Sequence, residues 1–172
     1  MRIRSLALLA ALSLLLVVQV IGSDSQAKGD NMKTGQAKSF RIFNPDSLGK
    51  PTAGYSHVAD VEGGHLVYIA GQVALDRSGN LVGPGDFKAQ VQQVFENLKA
   101  AVQGAGGDFS DVIKLNYFCS DAVDPSVIPV VREIRDKYVN TSNPPVSTFV
   151  VVKRLVRPEW LIEVEAVAVV KK

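Results

Sequence analysis

The sequence predicts an α+β two-layer sandwich, with one mixed β-sheet of about six strands and two helices against one of its faces. Three observations carry this. Val91, Val94, Phe95, Leu98, Ala101 and Val102 recur at i, i+3, i+4 and i+7, the spacing of one buried helix face. Short apolar runs flank that helix, with turn compositions such as Glu62-Gly63-Gly64 and Asp76-Arg77-Ser78-Gly79-Asn80 between them, as strands have. The last run, Leu161 to Val170, alternates: Ile162, Val164, Ala166 and Ala168 fall on one side, and Leu161, Glu163, Glu165 and Val167 on the other.

The elements follow the order β-β-β-α-β-α-β-β. Ser39 to Phe43 is a short edge strand closed by Asn44-Pro45. Residues 44–54 hold Pro45, Gly49, Pro51 and Gly54 and read as a loop. Ser56 to Val61 and His65 to Leu75 are strands, and Glu62-Gly63-Gly64 between them has the composition of a hairpin turn, where positive φ is required. Asp86 caps the first helix, and Gly104, Gly106 and Gly107 end it. Asp111 to Cys119 is a strand. Asp124-Pro125 opens a second helix reaching about Tyr138, with Pro129 disturbing its first turn. Ser147 to Val152 and Leu161 to Val170 complete the sheet. The outward side of the last strand mixes Leu and Val with Glu, which suits a subunit interface containing a cleft.

Residues 1–27 have the layout of a secretory signal: Arg2 and Arg4, an uncharged apolar run from Leu6 to Ile21, then small residues with cleavage sites after Gly22 or Ala27. An uncleaved membrane anchor is the competing reading, because the run reaches the short end of a bilayer span. Residues 28–38 are a polar, aperiodic leader, and residues 39–172 form the domain. Export predicts a periplasmic or secreted protein, with membrane attachment only through an uncleaved signal. The whole chain carries a formal net charge of +2. Losing Arg2, Arg4 and Asp24 with the signal leaves it near neutral, so no nucleic-acid footprint is expected. Cys119 is the single cysteine, which excludes an intrachain disulfide; it reads as a buried small hydrophobe. Two histidines and one cysteine at no ligand spacing argue against a metal. Asn140-Thr141-Ser142 fits a glycosylation acceptor, meaningful only in a eukaryotic secretory pathway.

Four segments carry a family likeness: Gly54-Tyr55-Ser56-His57, Tyr68 to Val73 with its Ala-Gly-Gln core, Phe95-Glu96-Asn97-Leu98-Lys99, and the tail from Pro144-Pro145-Val146-Ser147-Thr148 to Leu161-Ile162-Glu163-Val164-Glu165-Ala166. In order and spacing, from about Ile42 to Val170, they resemble the Rid family, also called YjgF or L-PSP-like proteins. The resemblance implies the chorismate-mutase-like fold, a homotrimer with small-molecule clefts between subunits, and no metal or cofactor. RidA-type members hydrolyse reactive enamines and imines. On this sequence the resemblance makes Glu163 the catalytic carboxylate that holds the attacking water. Tyr55, Gly71, Val146 and Thr148 become cleft positions. Active RidA types carry Arg where this chain has Val146, and that Arg grips the substrate carboxylate. Thr148 stands for a small residue, often Cys, and Val131 for an Asn. The chain therefore looks like an Arg-less subgroup.

Each residue also has a plainer reading. Glu163 is otherwise a solvated or interface-paired strand carboxylate. Tyr55 either offers its hydroxyl to a ligand or plugs the loop onto the sheet. His57, two residues on, either protonates a leaving amine or is a half-buried strand histidine. Val146 and Thr148 are either a cleft wall or interface packing. At the level of function, the expectation is an imine or enamine hydrolase of the deaminase type, weak on amino-acid-derived imines. The alternative is a non-catalytic extracytoplasmic protein binding a small metabolite on the same scaffold. A ribonuclease fits poorly, since the chain offers no general acid–base histidine pair and no aromatic platform for bases.

Overall fold

The computed structural model describes residues 39–171; the predicted signal and leader lie outside them. The α+β order is as expected: β1 (Phe40–Phe43), β2 (Val58–Val61), β3 (His65–Gln72), α1 (Phe87–Gly104), β4 (Val112–Ser120), α2 (Pro129–Arg135), β5 (Val146–Val152) and β6 (Ile162–Val170). The strands divide differently from the single sheet expected. Four form a mixed sheet in the order β3-β6-β4-β5, with only β4 and β5 parallel, and β1-β2 form a separate antiparallel ribbon.

The division corrects the hairpin expected at Glu62-Gly63-Gly64. Both Glu62 and Gly63 donate their backbone N–H to the Ser39 carbonyl, at 2.8 and 3.0 Å, so the turn closes the ribbon instead of pairing β2 with β3. Gly64 has φ +89°, and a Cβ there would lie 2.8 Å from both Ser39 Oγ and Val169 Cγ1. The glycine lets the chain cross from ribbon to sheet in a tight space. The ribbon is fixed by burial, because Phe40 packs with Ile113 and Val169 in a small second core.

The main core lies between the sheet and both helices. Val91, Val94, Phe95, Leu98 and Val102 of α1 are fully buried, as the spacing predicted. They meet Ile162, Val164, Ala166 and Ala168 of β6, the predicted inward set. Asp86 caps α1 by accepting the Ala89 N–H. The second helix is shorter than expected. Asp124 caps a 3-10 turn, Pro125–Val127, and α2 starts afresh with Pro129 in its first turn. Proline has no N–H to continue the preceding turn but suits a helix start. α2 supplies the crossover that parallel β4 and β5 need.

Two side chains of α1 set where the site-bearing strands begin and end. Gln90, fully buried, donates to the Gly83 and Glu159 carbonyls at 3.2 and 2.9 Å and accepts from Leu161 N at 2.9 Å, fixing the entry of β6. Asn97 donates to the Val73 and Leu75 carbonyls at 3.0 and 2.9 Å, fixing the chain just beyond β3. β3 accordingly ends at Gln72, short of the Leu75 expected.

Cys119 is fully buried on the helix side of β4. Burial pushes its thiol up to about 11. At pH 8 the thiolate is then roughly one part in a thousand, so native protein should react with a disulfide reagent far more slowly than unfolded protein. Stoichiometric labelling of the folded chain within seconds would contradict this burial.

Candidate functional site

The face of the sheet away from the helices holds the predicted site. Register places its side chains in rows: Val167 beside Lys114 beside Val146, Glu165 beside Asn116 beside Thr148, and Glu163 beside Phe118 beside Val150. Tyr68 and Leu66 extend it on β3 and are 77% and 50% exposed. Apolar groups this open beside half-buried carboxylates match the mixed face predicted from the last strand.

Glu163 and Gly71 meet. β3 breaks register against β6 between Ile69 and Gln72, and Gly71 lies in that irregularity. A Cβ on Gly71 would come within 1.9 Å of Glu163 Oε1 and 2.7 Å of its Cδ. The carboxylate therefore occupies the space an ordinary side chain would fill, which is the physical reason for glycine here. Glu165 is engaged differently, accepting from Asn116 Nδ2 at 2.7 Å. Of the two glutamates, Glu163 is the one held against backbone with no side-chain hydrogen bond among the described residues.

Tyr55, His57, Val146 and Thr148 meet elsewhere. Ser56 pairs in parallel with Val146, so the segment around it extends the sheet beyond β5. With Lys114 these residues line a 350 Å³ cavity at the β5 edge. Tyr55 and His57 rings pack edge to face with centroids 5.5 Å apart. The His57 backbone N–H donates to Asn44 Oδ1 at 2.8 Å, and Nε2 lies 3.0 Å from the Gly49 carbonyl, tying the ring to the 44–54 loop. That leaves Nδ1 as the nitrogen available to a ligand. Lys114 was not singled out from sequence. Its place opposite Val146 comes from the parallel register of β4 and β5, a long-range pairing no local pattern encodes.

Glu163 and Gly71 do not line the Tyr55 cavity. Two inter-strand steps, roughly 10 Å, separate β6 from β5. Within one chain the candidate residues thus form two separate groups, one on β6 and β3 and one at the β5 edge. The basic residues near β5 in sequence are committed to other contacts. Lys153 pairs with Asp121 at 2.7 Å. Arg154 donates to the Leu155 and Val156 carbonyls, both at 3.1 Å, and Arg157 stacks over Trp160 at 5.4 Å.

An open mixed sheet backed by two helices, with a glycine-cradled carboxylate and an edge cavity, defines a two-layer α+β domain with room for a small molecule. The chain belongs to the family described as Endoribonuclease L-PSP, whose profile matches residues 46–170. A RutC family protein of Pyrococcus horikoshii is 35% identical over 127 residues, covering 74% of this chain and 95% of its own. A protein of the mite Dermatophagoides farinae named 2-iminobutanoate/2-iminopropanoate deaminase is 28% identical, covering 76% of this chain and 97% of its own. Among solved structures, the Rid family protein YyfB of Yersinia pestis, of unknown function, superposes with a TM-score of 0.69 at 33% identity, covering 77% of this chain and all of that one.

Proposed function

We propose that the chain is a Rid-type hydrolase that deaminates imine- or enamine-like compounds in clefts formed between three copies of itself, outside the cytoplasm. The contact between Glu163 and Gly71 on the open sheet face is the observation that carries this reading. A carboxylate held against backbone beside apolar surface can take a proton from water as that water attacks an imine carbon. The C=N π bond breaks, its electrons go to nitrogen, and nitrogen takes a proton. The resulting carbinolamine collapses to a carbonyl compound and an amine. Enamines enter after tautomerising to imines. Tyr55, His57, Val146 and Thr148 would supply the opposite wall from a neighbouring copy. With Val146 in place of the gripping Arg, carboxylate-bearing imines would be poor substrates. The mite deaminase lends the reaction class support through its name. The apolar segment between Arg4 and Ile21 supports export.

A second reading is a non-catalytic metabolite-binding protein, favoured by the commitment of a His57 ring nitrogen to the loop. Glu163→Ala separates the two. Hydrolysis should fall by at least about 10²-fold, while affinity for a product carbonyl compound stays within a few-fold. Unchanged turnover would remove Glu163 from the chemistry. RNA cleavage gains no support from the described residues, where His57 precedes the β1-β2 ribbon's second strand and His65 opens β3 in the other sheet.

A further inference from the structure

We infer that a second cavity, on the helix side of β5, is a binding site for a small organic monocarboxylate with an apolar body. It has a volume of 410 Å³ and lies between α2, the 52–55 loop and β5. It shares Tyr55 and Ser147 with the Val146 cavity but reaches to the other side of β5, where Tyr117, Phe149 and the α2 residues line it and Lys114, Val146 and Thr148 do not. The inference does not depend on imine chemistry.

Two observations point to an anion. First, Arg132 and Arg135, three residues apart on α2, converge beneath Gly54. A Cβ on Gly54 would lie 3.0 Å from the Nη2 atom of each. Asp136 is the carboxylate paired with both among the described residues, at 3.7 Å from Arg132 and 2.5 Å from Arg135. Two guanidiniums against one carboxylate leave one positive charge over. The Arg135 side chain is only 8% exposed, so part of that charge is held in a poorly solvated place. Asp136 engages Arg135 through Nε and Nη2, and the guanidinium has further N–H groups to offer.

Second, the Tyr117 hydroxyl, on a residue 3% exposed, lines the cavity and has no acceptor for its proton; the Arg135 guanidinium beside it can only donate. Burial raises its pKa, and the nearby Arg135 charge opposes that rise without removing it. The hydroxyl therefore stays protonated and can donate. A buried donor without an acceptor, beside surplus positive charge, is the complement of a carboxylate. The remaining wall is apolar, supplied by Ile128, Pro129, Val131 and Phe149, which selects a hydrocarbon or aromatic body.

Calorimetric titration of the mature protein with sodium benzoate, against benzyl alcohol and matched sodium chloride, tests this. Benzoate should bind saturably at one per chain, and benzyl alcohol at least about tenfold more weakly. Arg132→Gln, at a largely exposed side chain, should weaken benzoate about tenfold or more. Tyr117→Phe should weaken it severalfold while leaving the melting temperature equal or higher, because the substitution removes an unsatisfied hydroxyl. Glu163→Ala should leave the isotherm within about twofold, so loss of hydrolysis and loss of this site are read apart. Equal binding of benzoate and benzyl alcohol, no saturable heat, or wild-type affinity in both the Arg132 and Tyr117 variants would overturn the assignment.

Discussion

Imines derived from ordinary amino acids are expected to be hydrolysed by the wild-type protein about 10²–10⁴-fold more slowly, in kcat/KM, than by relatives with Arg at the Val146 position. Such an imine is an anion, and entering a cleft strips water from its carboxylate. A buried charge without a partner costs several kcal/mol, and about 3–5 kcal/mol corresponds to that range of rates. Valine has no donor to offer. Lys114 faces the same cavity, but its ammonium is a point charge on a flexible stem and cannot match a bidentate guanidinium fork. Lys153, Arg154 and Arg157 are engaged elsewhere. Imines lacking the carboxylate should escape the penalty. Side-by-side kinetics on 2-iminopropanoate and an uncharged imine of similar size read the difference directly. Equal rates with Arg-bearing relatives on the charged substrate would mean that Lys114 suffices, and Lys114→Ala should then abolish that turnover.

Gly71→Ala should lower hydrolysis about 10²-fold with little loss of stability. The added methyl would sit 1.9 Å from Glu163 Oε1, so the carboxylate must move. What moves is the Glu163 side chain from Cγ outward, on a half-buried surface and with no backbone atom among the close contacts, so the fold should lose no more than about 1 kcal/mol. Activity responds differently, because a displacement of about 1 Å in a catalytic group is enough for a loss of this size. Thermal unfolding and turnover on the same preparation separate the effects. A variant that melts like wild type and hydrolyses like wild type would show that Glu163 does not act from its position against Gly71.

Local patterns made much of the fold legible. The α1 face from Val91 to Val102, the Asp86 cap and the inward set of β6 follow from periodicity and capping chemistry. Partner choice between strands was not legible. Glu62-Gly63-Gly64 has hairpin composition, yet the burial of Phe40 with Ile113 and Val169 draws β2 to β1. The site divides along the same line. Glu163, Gly71, Tyr55 and Val146 were put forward through the family likeness, and the close approach of the Glu163 carboxylate to Gly71 gives a physical reason for the glycine. Lys114 and Tyr117 were missed because their neighbours are set by β4-β5 register. Arg132 and Arg135 carried a readable signal, two cations three residues apart on one helix, but their convergence on Gly54 depends on how the loop folds.

The claim that two half-sites from neighbouring copies make one cleft is tested most directly by mixing defects. Tyr55→Ala damages the β5-edge half, and Glu163→Ala damages the β6 half. Each variant alone should be nearly inactive. Co-assembled one to one, a neighbour pair combines an intact Tyr55 half with an intact Glu163 half about a quarter of the time, so turnover should return to about a quarter of the wild-type value. Mixed assemblies no more active than the separate variants would contradict the account, because both halves would then have to come from the same chain.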